Sequence, residues 1–209
     1  MVAQVPATRT LIPGTTGWSA EDLRDPDIAR QWDAGRYEII DGILVLMPLP
    51  CWDHGEPLPD IIVTLRNHLR SRGEAVRISF EVDITTPWGE VLRADSAMLT
   101  PADVEAQKIA LRAQGLDDHL LQRLQVPPTL VIESLSRGHE KHDRVVKRDR
   151  YARLGVKHYW LVDHHQRSMT CFSLDPQGSY VLDTQAGDGQ TLRPAAFPGF
   201  TLELKDIFP

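Results

Sequence analysis

Glu133 is an acidic residue inside an apolar segment. It lies in the stretch TLVIESL, residues 129–135, between Ile132 and Leu135. A buried carboxylate is costly unless it is paired with a cation or bound to a metal. Asp95 repeats the pattern in the stretch LRADSAML. The sequence therefore predicts two carboxylates on two strands of the core.

Two carboxylates on adjacent strands would lie side by side and repel each other. A Mg²⁺ or Mn²⁺ ion between them would remove that penalty and act as a Lewis acid. The alternative is structural, with each acid paired to an arginine such as Arg93 in a buried ion pair. The residues alone leave both interpretations open.

Lys147 is the third candidate because of its position on a predicted helix. At about 100° per residue, Lys147, Tyr151 and Leu154 fall on one side of that helix. Tyr151 and Leu154 favour burial, so this side is predicted to face the sheet. An inward lysine near two carboxylates suits phosphoryl chemistry, where it can orient water or stabilise charge in the transition state. The alternative is a lysine whose stem is buried and whose ammonium reaches the surface.

The segment around Lys147 is basic within an acidic chain. The formal net charge is −6 and the sequence pI is about 5.7, which argues against a strong, non-specific nucleic-acid binder. Residues 137–153 nevertheless carry seven positive and three negative side chains: Arg137, Lys141, Arg144, Lys147, Arg148, Arg150 and Arg153 against Glu140, Asp143 and Asp149. Such a run either contacts phosphates or is a solvated helix face.

The elements that must position these residues follow from hydrophobic periodicity and turn signals. Predicted strands are a hairpin around Asp41-Gly42 in YEIIDGILVLMP, then Ala75–Thr85, Val91–Leu99, Thr129–Leu135, HYWLVD and SMTCFSL, and small strands around Tyr180 and Phe200. Predicted helices run from Ser19 to about Asp33, Leu58 to Arg70, Pro101 to about Leu124, and His139 to Leu154. Helices that alternate with strands indicate an α/β or α+β fold with a mixed central sheet.

Composition and length define the remaining expectations. Hydrophobic residues make up 42% of the 209, so we expect one domain from residue 19 to 209, with an extended arm over residues 1–18 and a helical insertion at about 101–126. No apolar run approaches the roughly 20 residues of a membrane span, and no signal peptide is evident, so a cytoplasmic protein is predicted. Cys51 and Cys171 are expected to be reduced thiols.

Several other site types are not favoured by the sequence. There is no glycine-rich phosphate loop, no H-E-x-x-H and no G-x-S-x-G. Five histidines close in sequence could suggest a zinc site: His139, His142, His158, His164 and His165. His164 and His165, however, follow the end of a strand in a predicted turn.

Four stretches carry a family resemblance. In order along the chain, YEIIDGILVLMP, VIESLS, DRVVKRDRYARLGV and HYWLVD resemble the Uma-two family of proposed restriction endonucleases, within the PD-(D/E)xK nuclease superfamily. The resemblance covers roughly Tyr37 to the C-terminus. It implies a restriction-endonuclease-like fold, a mixed central sheet flanked by helices with an N-terminal β-hairpin.

The resemblance also implies roles for individual residues. Asp95 matches the aspartate of the Pro-Asp motif and Glu133 the glutamate of the Glu-x-Leu-Ser strand, and both would bind Mg²⁺ or Mn²⁺. Lys147 matches the catalytic lysine on the next helix. Glu38 matches the acid of the hairpin and would be a further ligand or general base. His54 resembles a histidine placed before the second helix.

This chain departs from the family pattern at three places. Ala94 stands where the family usually has proline, Leu135 occupies the in-strand lysine position as in relatives, and extra prolines surround His54. None of these changes removes a carboxylate. The expected protein is a Mg²⁺-dependent endonuclease that acts on DNA as a homodimer and contacts phosphates through Arg137, Lys141, Arg144 and Arg148. The alternative is a nuclease-like module that binds nucleic acid or protein without cutting.

Overall fold

The fold is taken from a computed structural model, which describes residues 9–47, 57–116, 123–135, 138 and 140–208. Its contacts divide the chain into two compact units. The first unit comprises Met1–Leu49 and Thr85–Arg93, and the second comprises Pro50–Ile84 and Ala94–Pro209. The single domain expected over residues 19–209 stays a prediction.

Four α-helices and eleven strands are present in the described residues, together with shorter helical turns. The helices are α1 (Pro26–Asp33), α2 (Pro57–Ser71), α3 (Pro101–Ala113) and α4 (Arg148–Leu154), with a π-helical segment His142–Lys147 directly before α4. The strands are β1 (Tyr37–Ile40), β2 (Ile43–Leu46), β3 (Arg77–Thr85), β4 (Val91–Leu99), β5 (Arg123–Leu124), β6 (Leu130–Ser134), β7 (His158–Asp163), β8 (Ser168–Leu174), β9 (Tyr180–Ala186), β10 (Thr191–Leu192) and β11 (Leu202–Glu203).

The first unit is built on the predicted β1–β2 hairpin. Asp41 and Gly42 have φ angles of 51° and 73°, and positive values at both central residues define the tight turn that an Asp-Gly pair favours. Ile39 of β1 pairs with Val91, at the start of β4. The core of this unit holds buried apolar side chains from the arm, α1 and the hairpin: Leu11, Trp18, Leu23, Ile28, Trp32, Ile39, Leu44 and Val91. The described part of the arm therefore packs onto the hairpin.

The second unit contains a mixed sheet. β6 pairs antiparallel with the end of β4 and parallel with β7, and β8 and β9 continue the sheet in antiparallel pairing. Every residue of β6 is buried, as expected for a strand covered on both faces. The mixed sheet and its flanking helices confirm the predicted fold class.

Strand predictions are confirmed at the residue level for β4, β7 and β8. Their apolar runs are bounded by Gly, Asp or Pro, so local turn chemistry marks both ends. α2 also covers the predicted helix and buries its periodic apolar face: Leu58, Ile61, Ile62, Leu65 and Leu69.

Two helix predictions are wrong in extent. The helix expected from Ser19 to Asp33 is interrupted, because Pro26 holds Asp25 in an extended conformation with ψ 122°. A 3₁₀ turn, Ala20–Arg24, precedes this break, and the Asp25 side chain caps α1 by accepting hydrogen bonds from the N–H groups of Asp27 and Ile28.

The helix expected from Pro101 to about Leu124 ends instead at Ala113. Gly115 has φ +69°, and Leu116 donates its N–H to the Leu111 carbonyl, a helix ending that favours glycine. Arg123 and Leu124 form β5, which pairs in parallel with β3. The predicted helical insertion is therefore a shorter helix followed by a strand.

No helix among the described residues is long and apolar enough to cross a membrane.

Candidate active site

Asp95 and Glu133 are linked by reciprocal hydrogen bonds between β4 and β6. The Asp95 N–H donates to Glu133 Oε2 at 3.2 Å, and the Ser134 N–H donates to Asp95 Oδ2 at 2.8 Å. Because β4 and β6 are neighbours with Ser96 paired to Ile132, each carboxylate reaches the backbone of the facing strand. The structure therefore brings the two predicted acids together, with Glu133 1% exposed and Asp95 half-buried.

Lys147 lies against Glu133, as its helical position predicts. Its Nζ is 3.1 Å from Glu133 Oε1, and the two side chains are 2% and 1% exposed. The ammonium is therefore inside the protein and does not extend to the surface. Loss of hydration on burial is offset by this ion pair and by the hydrogen bond that it contains.

The π-helical segment supplies a further carboxylate to Lys147. Asp143 Oδ1 lies 3.7 Å from Lys147 Nζ, and its side chain is 8% exposed. The Asp143 carbonyl accepts the Arg148 N–H and also the Tyr159 hydroxyl at 3.0 Å. π-Helical turns are rare and recur at functional sites. In this protein the turn carries Asp143 and Lys147 on the side that faces the sheet.

Tyr151 donates a hydrogen bond to the same oxygen of Glu133. Its hydroxyl is 2.9 Å from Glu133 Oε1, and its ring lies 5.4 Å from that of Tyr159. Glu133 thus accepts hydrogen bonds from Lys147, Tyr151 and the Asp95 backbone. An ionised carboxylate accepts through both oxygens, so these donors match its charged form.

Burial raises the pKa of Tyr159 well above 10, and the nearby Glu133 and Asp143 carboxylates raise it further. A phenolate would be desolvated and repelled by these anions. Tyr159 is therefore a neutral donor to the Asp143 carbonyl at any pH at which the protein would work.

Glu38 lies in the first unit, where it is fully buried in β1. Its Oε1 accepts the Arg93 N–H at 2.8 Å. Arg93 in turn donates to the Gly35 carbonyl at 3.0 Å and lies over the Trp32 ring. This hydrogen bond connects the side chain of Glu38 to the backbone of β4, and a catalytic role for Glu38 stays a prediction.

The predicted phosphate-contacting residues have different environments. Lys141 is exposed, whereas Arg144 donates to Asp163 Oδ2 at 2.7 Å. Arg148 donates to the Tyr180 carbonyl at 3.2 Å and lies 4.5 Å above the Phe172 ring. Two of the arginines therefore also hold the helix against the sheet.

A surface cavity of about 350 Å³ lies on the outer side of the same helix. Arg144 and Arg148 contribute to its wall, and its remaining lining residues are Val145, Asp149, Ala152, Gly178, Ser179 and Tyr180. Two further residues with predicted roles lie outside the described residues. They are Arg137, a predicted phosphate contact, and His54, placed before the second helix.

Within the described part of the chain, no group of three or more His, Cys, Asp or Glu side chains is arranged to hold a metal ion. A Mg²⁺ ion needs fewer protein ligands, since it keeps several water molecules and is commonly bound through one or two carboxylates. Asp95 and Glu133 are hard oxygen donors held on adjacent strands by the reciprocal hydrogen bonds. The donor set therefore fits a hard divalent cation.

Sequence reasoning did not assign Asp143 or Tyr151 to the site. The sequence predicts only that Tyr151 is buried and that Asp143 is one of three negative charges in a basic run. Their spacing of four residues on either side of Lys147 was an available signal, because side chains four apart lie on one face of a helix.

A mixed sheet with acids on two adjacent strands and a lysine on the following helix is the arrangement that the sequence resemblance implies. The family model described as "Putative restriction endonuclease", Uma2, matches residues 26–205, and the chain belongs to this family. This confirms the resemblance noted in the sequence.

A solved structure, a "putative nuclease belonging to DUF820" from Anabaena variabilis, superposes with a TM-score of 0.67. The two sequences are 14% identical, and the match covers 91% of this chain and 97% of the other. At this identity the likeness concerns the fold. No curated protein matches the sequence.

Proposed function

We propose that this protein is a Mg²⁺- or Mn²⁺-dependent endonuclease that hydrolyses phosphodiester bonds of DNA. The observation that carries the proposal is the connection of Asp95 and Glu133 across β4 and β6, with Lys147 Nζ 3.1 Å from Glu133. Family membership over residues 26–205 supports the same activity.

The contacts support a separate role for each residue. Asp95 and Glu133 would hold the metal ion, which supplies Lewis acidity and charge neutralisation when bound. Asp95 is more exposed than Glu133, so a phosphodiester would approach from the Asp95 side. Lys147 would place positive charge beside the reacting phosphate and orient the attacking water. Hydrolysis joins the water oxygen to phosphorus and breaks the bond to the leaving nucleotide oxygen.

The wider substrate contacts are part of the proposal. Glu38 would assist as a further ligand or base, and Arg137, Lys141, Arg144 and Arg148 would neutralise backbone phosphates. A homodimer would double these contacts and allow cuts in both strands of a duplex.

A second candidate function is a non-catalytic module that binds nucleic acid or protein. The specific observation in its favour is the burial of Glu133 and Lys147, which are 1% and 2% exposed. A buried ion pair of this kind is also found where its role is structural.

Cleavage of supercoiled and linear DNA with Mg²⁺ or Mn²⁺ tests the proposal. Glu133→Gln and Asp95→Asn keep the shape of each side chain, and each should lower the rate at least a hundredfold. Glu90→Gln is the matched control, since Glu90 is buried and accepts hydrogen bonds from Asp41 and Trp88. It should retain cleavage while losing some stability.

The outcomes separate the two candidates. Equal cutting by wild type and Glu133→Gln would refute the assignment of the site. DNA binding without cutting by the wild type, in the presence of either metal, would favour the non-catalytic module.

A further inference from the structure

We propose that Tyr151 is a positioning residue that fixes the orientation of the Glu133 carboxylate for metal binding. This inference rests on the proposed function, because it concerns the same carboxylate. It adds a residue whose role neither the family match nor the sequence pattern assigns.

Donors on the helix and on β4 restrain Glu133 from two sides. Lys147 Nζ and the Tyr151 hydroxyl approach Oε1 from the helix, at 3.1 Å and 2.9 Å, and the Asp95 N–H approaches Oε2 from β4. Tyr151 is itself fully buried, and its ring packs against Tyr159. The hydroxyl is therefore held in place by packing and cannot follow a rotating carboxylate.

The choice of acceptor distinguishes Tyr151 from its neighbours. Buried tyrosine hydroxyls need a hydrogen-bond partner, and a backbone carbonyl suffices: Tyr159 donates to Asp143 O and Tyr180 donates to Val156 O. Tyr151 instead donates to the side chain that the proposed reaction uses.

The chemistry of the donor also matters. Lys147 orients Glu133 but adds a positive charge that opposes a bound cation. A phenol is neutral, so Tyr151 restrains the carboxylate without cancelling its charge. Pre-orientation of a ligand by a neighbouring donor is a common determinant of metal affinity.

The test compares Tyr151→Phe with Tyr180→Phe, since each variant removes one buried hydroxyl. Mn²⁺ binding is measured by calorimetry without DNA, and the cleavage rate is measured as a function of Mn²⁺ concentration. Loss of a hydrogen bond to a charged group should raise both the dissociation constant and the half-saturating concentration about tenfold in Tyr151→Phe. The rate at saturating Mn²⁺ should fall much less, and Tyr180→Phe should match the wild type.

A purely structural role predicts a different pattern, with both variants less stable and neither altered in Mn²⁺ affinity. That pattern would overturn the proposal.

Failure of the proposed function gives separate results. If the wild type binds Mn²⁺ but does not cut, the nuclease proposal fails and the calorimetric comparison still decides the role of Tyr151. If the wild type binds no Mn²⁺ in calorimetry, the nuclease proposal and the role of Tyr151 in metal binding are both overturned.

Discussion

At the residue scale, the defining feature is the buried ion pair between Glu133 and Lys147. The side chains of Glu133 and Lys147 are almost completely buried. The charge of each one therefore offsets the free-energy cost of burying the other. Such a pair contributes little net stability compared with apolar residues of equal size, yet breaking it is expensive. The pair is therefore a constraint on the core that is costly to break.

A double-mutant cycle measures this constraint. Lys147→Met should lower the free energy of unfolding by about 3–5 kcal/mol, because it leaves Glu133 and Asp143 without the ammonium. Glu133→Gln combined with Lys147→Met should recover part of that loss in urea unfolding. Strictly additive effects of the two changes would contradict a coupled buried pair.

His158 should make the free energy of unfolding depend on pH, because its pKa is lowered in the folded protein. Burial lowers its pKa below 6.5, partly countered by Asp183 and reinforced by Lys157, and its Nδ1 lies 3.2 Å from Ser173 Oγ. The unfolded chain then binds a proton below pH 6.5 that the folded protein does not. His158 therefore contributes stability above pH 6.5, and this contribution is lost as the pH falls toward its folded pKa.

Urea unfolding between pH 7.5 and 5 checks this sign. The midpoint of the wild type should fall with decreasing pH more steeply than that of His158→Gln. Parallel curves for the two proteins would show that the imidazole does not carry the effect.

At the element scale, the helix that carries Lys147 is fixed at both ends. Arg144 in the π-helical segment binds Asp163 at the end of β7, and Gly155 ends α4 in the left-handed region with φ 91°. Between them, Arg148 lies on the Phe172 ring of β8. These contacts set the rotation of the helix and thereby the side on which Lys147 lies.

Gly155→Ala tests the helix end. A Cβ at this position meets nothing within 4 Å, so the cost is conformational and should be about 1 kcal/mol in urea unfolding. Gly187 has no left-handed φ, and an added Cβ meets only Gln190 Oε1 at 3.8 Å, so Gly187→Ala is the control. Equal stability of the two variants would show that the left-handed conformation of Gly155 is not what limits the substitution.

At the scale of the whole molecule, an acidic protein is proposed to bind a polyanion. The net charge of −6 opposes DNA at long range, so binding must come from a local basic surface. With about four neutralised phosphates, the log–log salt dependence of affinity should have a slope near −3.6.

Arg148→Ala separates DNA binding from packing. If Arg148 contacts a phosphate, the slope should become shallower by about 0.9 when binding is measured in EDTA to prevent cleavage. Arg30→Ala is the control, since Arg30 pairs with Asp27 on an exposed surface of α1. An unchanged slope with reduced stability would assign Arg148 to packing on Phe172 alone.

Much of the fold is encoded locally and could be predicted. Apolar runs and turn residues defined β4, β7 and β8, and Asp41-Gly42 defined the hairpin. The two helix ends that differ from the prediction also have local signals, at Pro26 and Gly115. Asp95, Glu133 and Lys147 stood out because charged residues on core-facing positions carry a large burial cost.

The sequence by itself thus determined which charged residues lie at core positions. Only the tertiary structure decided which partners compensate their burial. Glu133 contacts partners that lie 14, 18 and 38 positions away along the chain. Periodicity is a property of neighbouring residues, whereas strand register and helix rotation depend on packing between elements. Helical spacing therefore puts Asp143, Lys147 and Tyr151 on one face, and only the packing of the helix against β6 brings that face to Glu133.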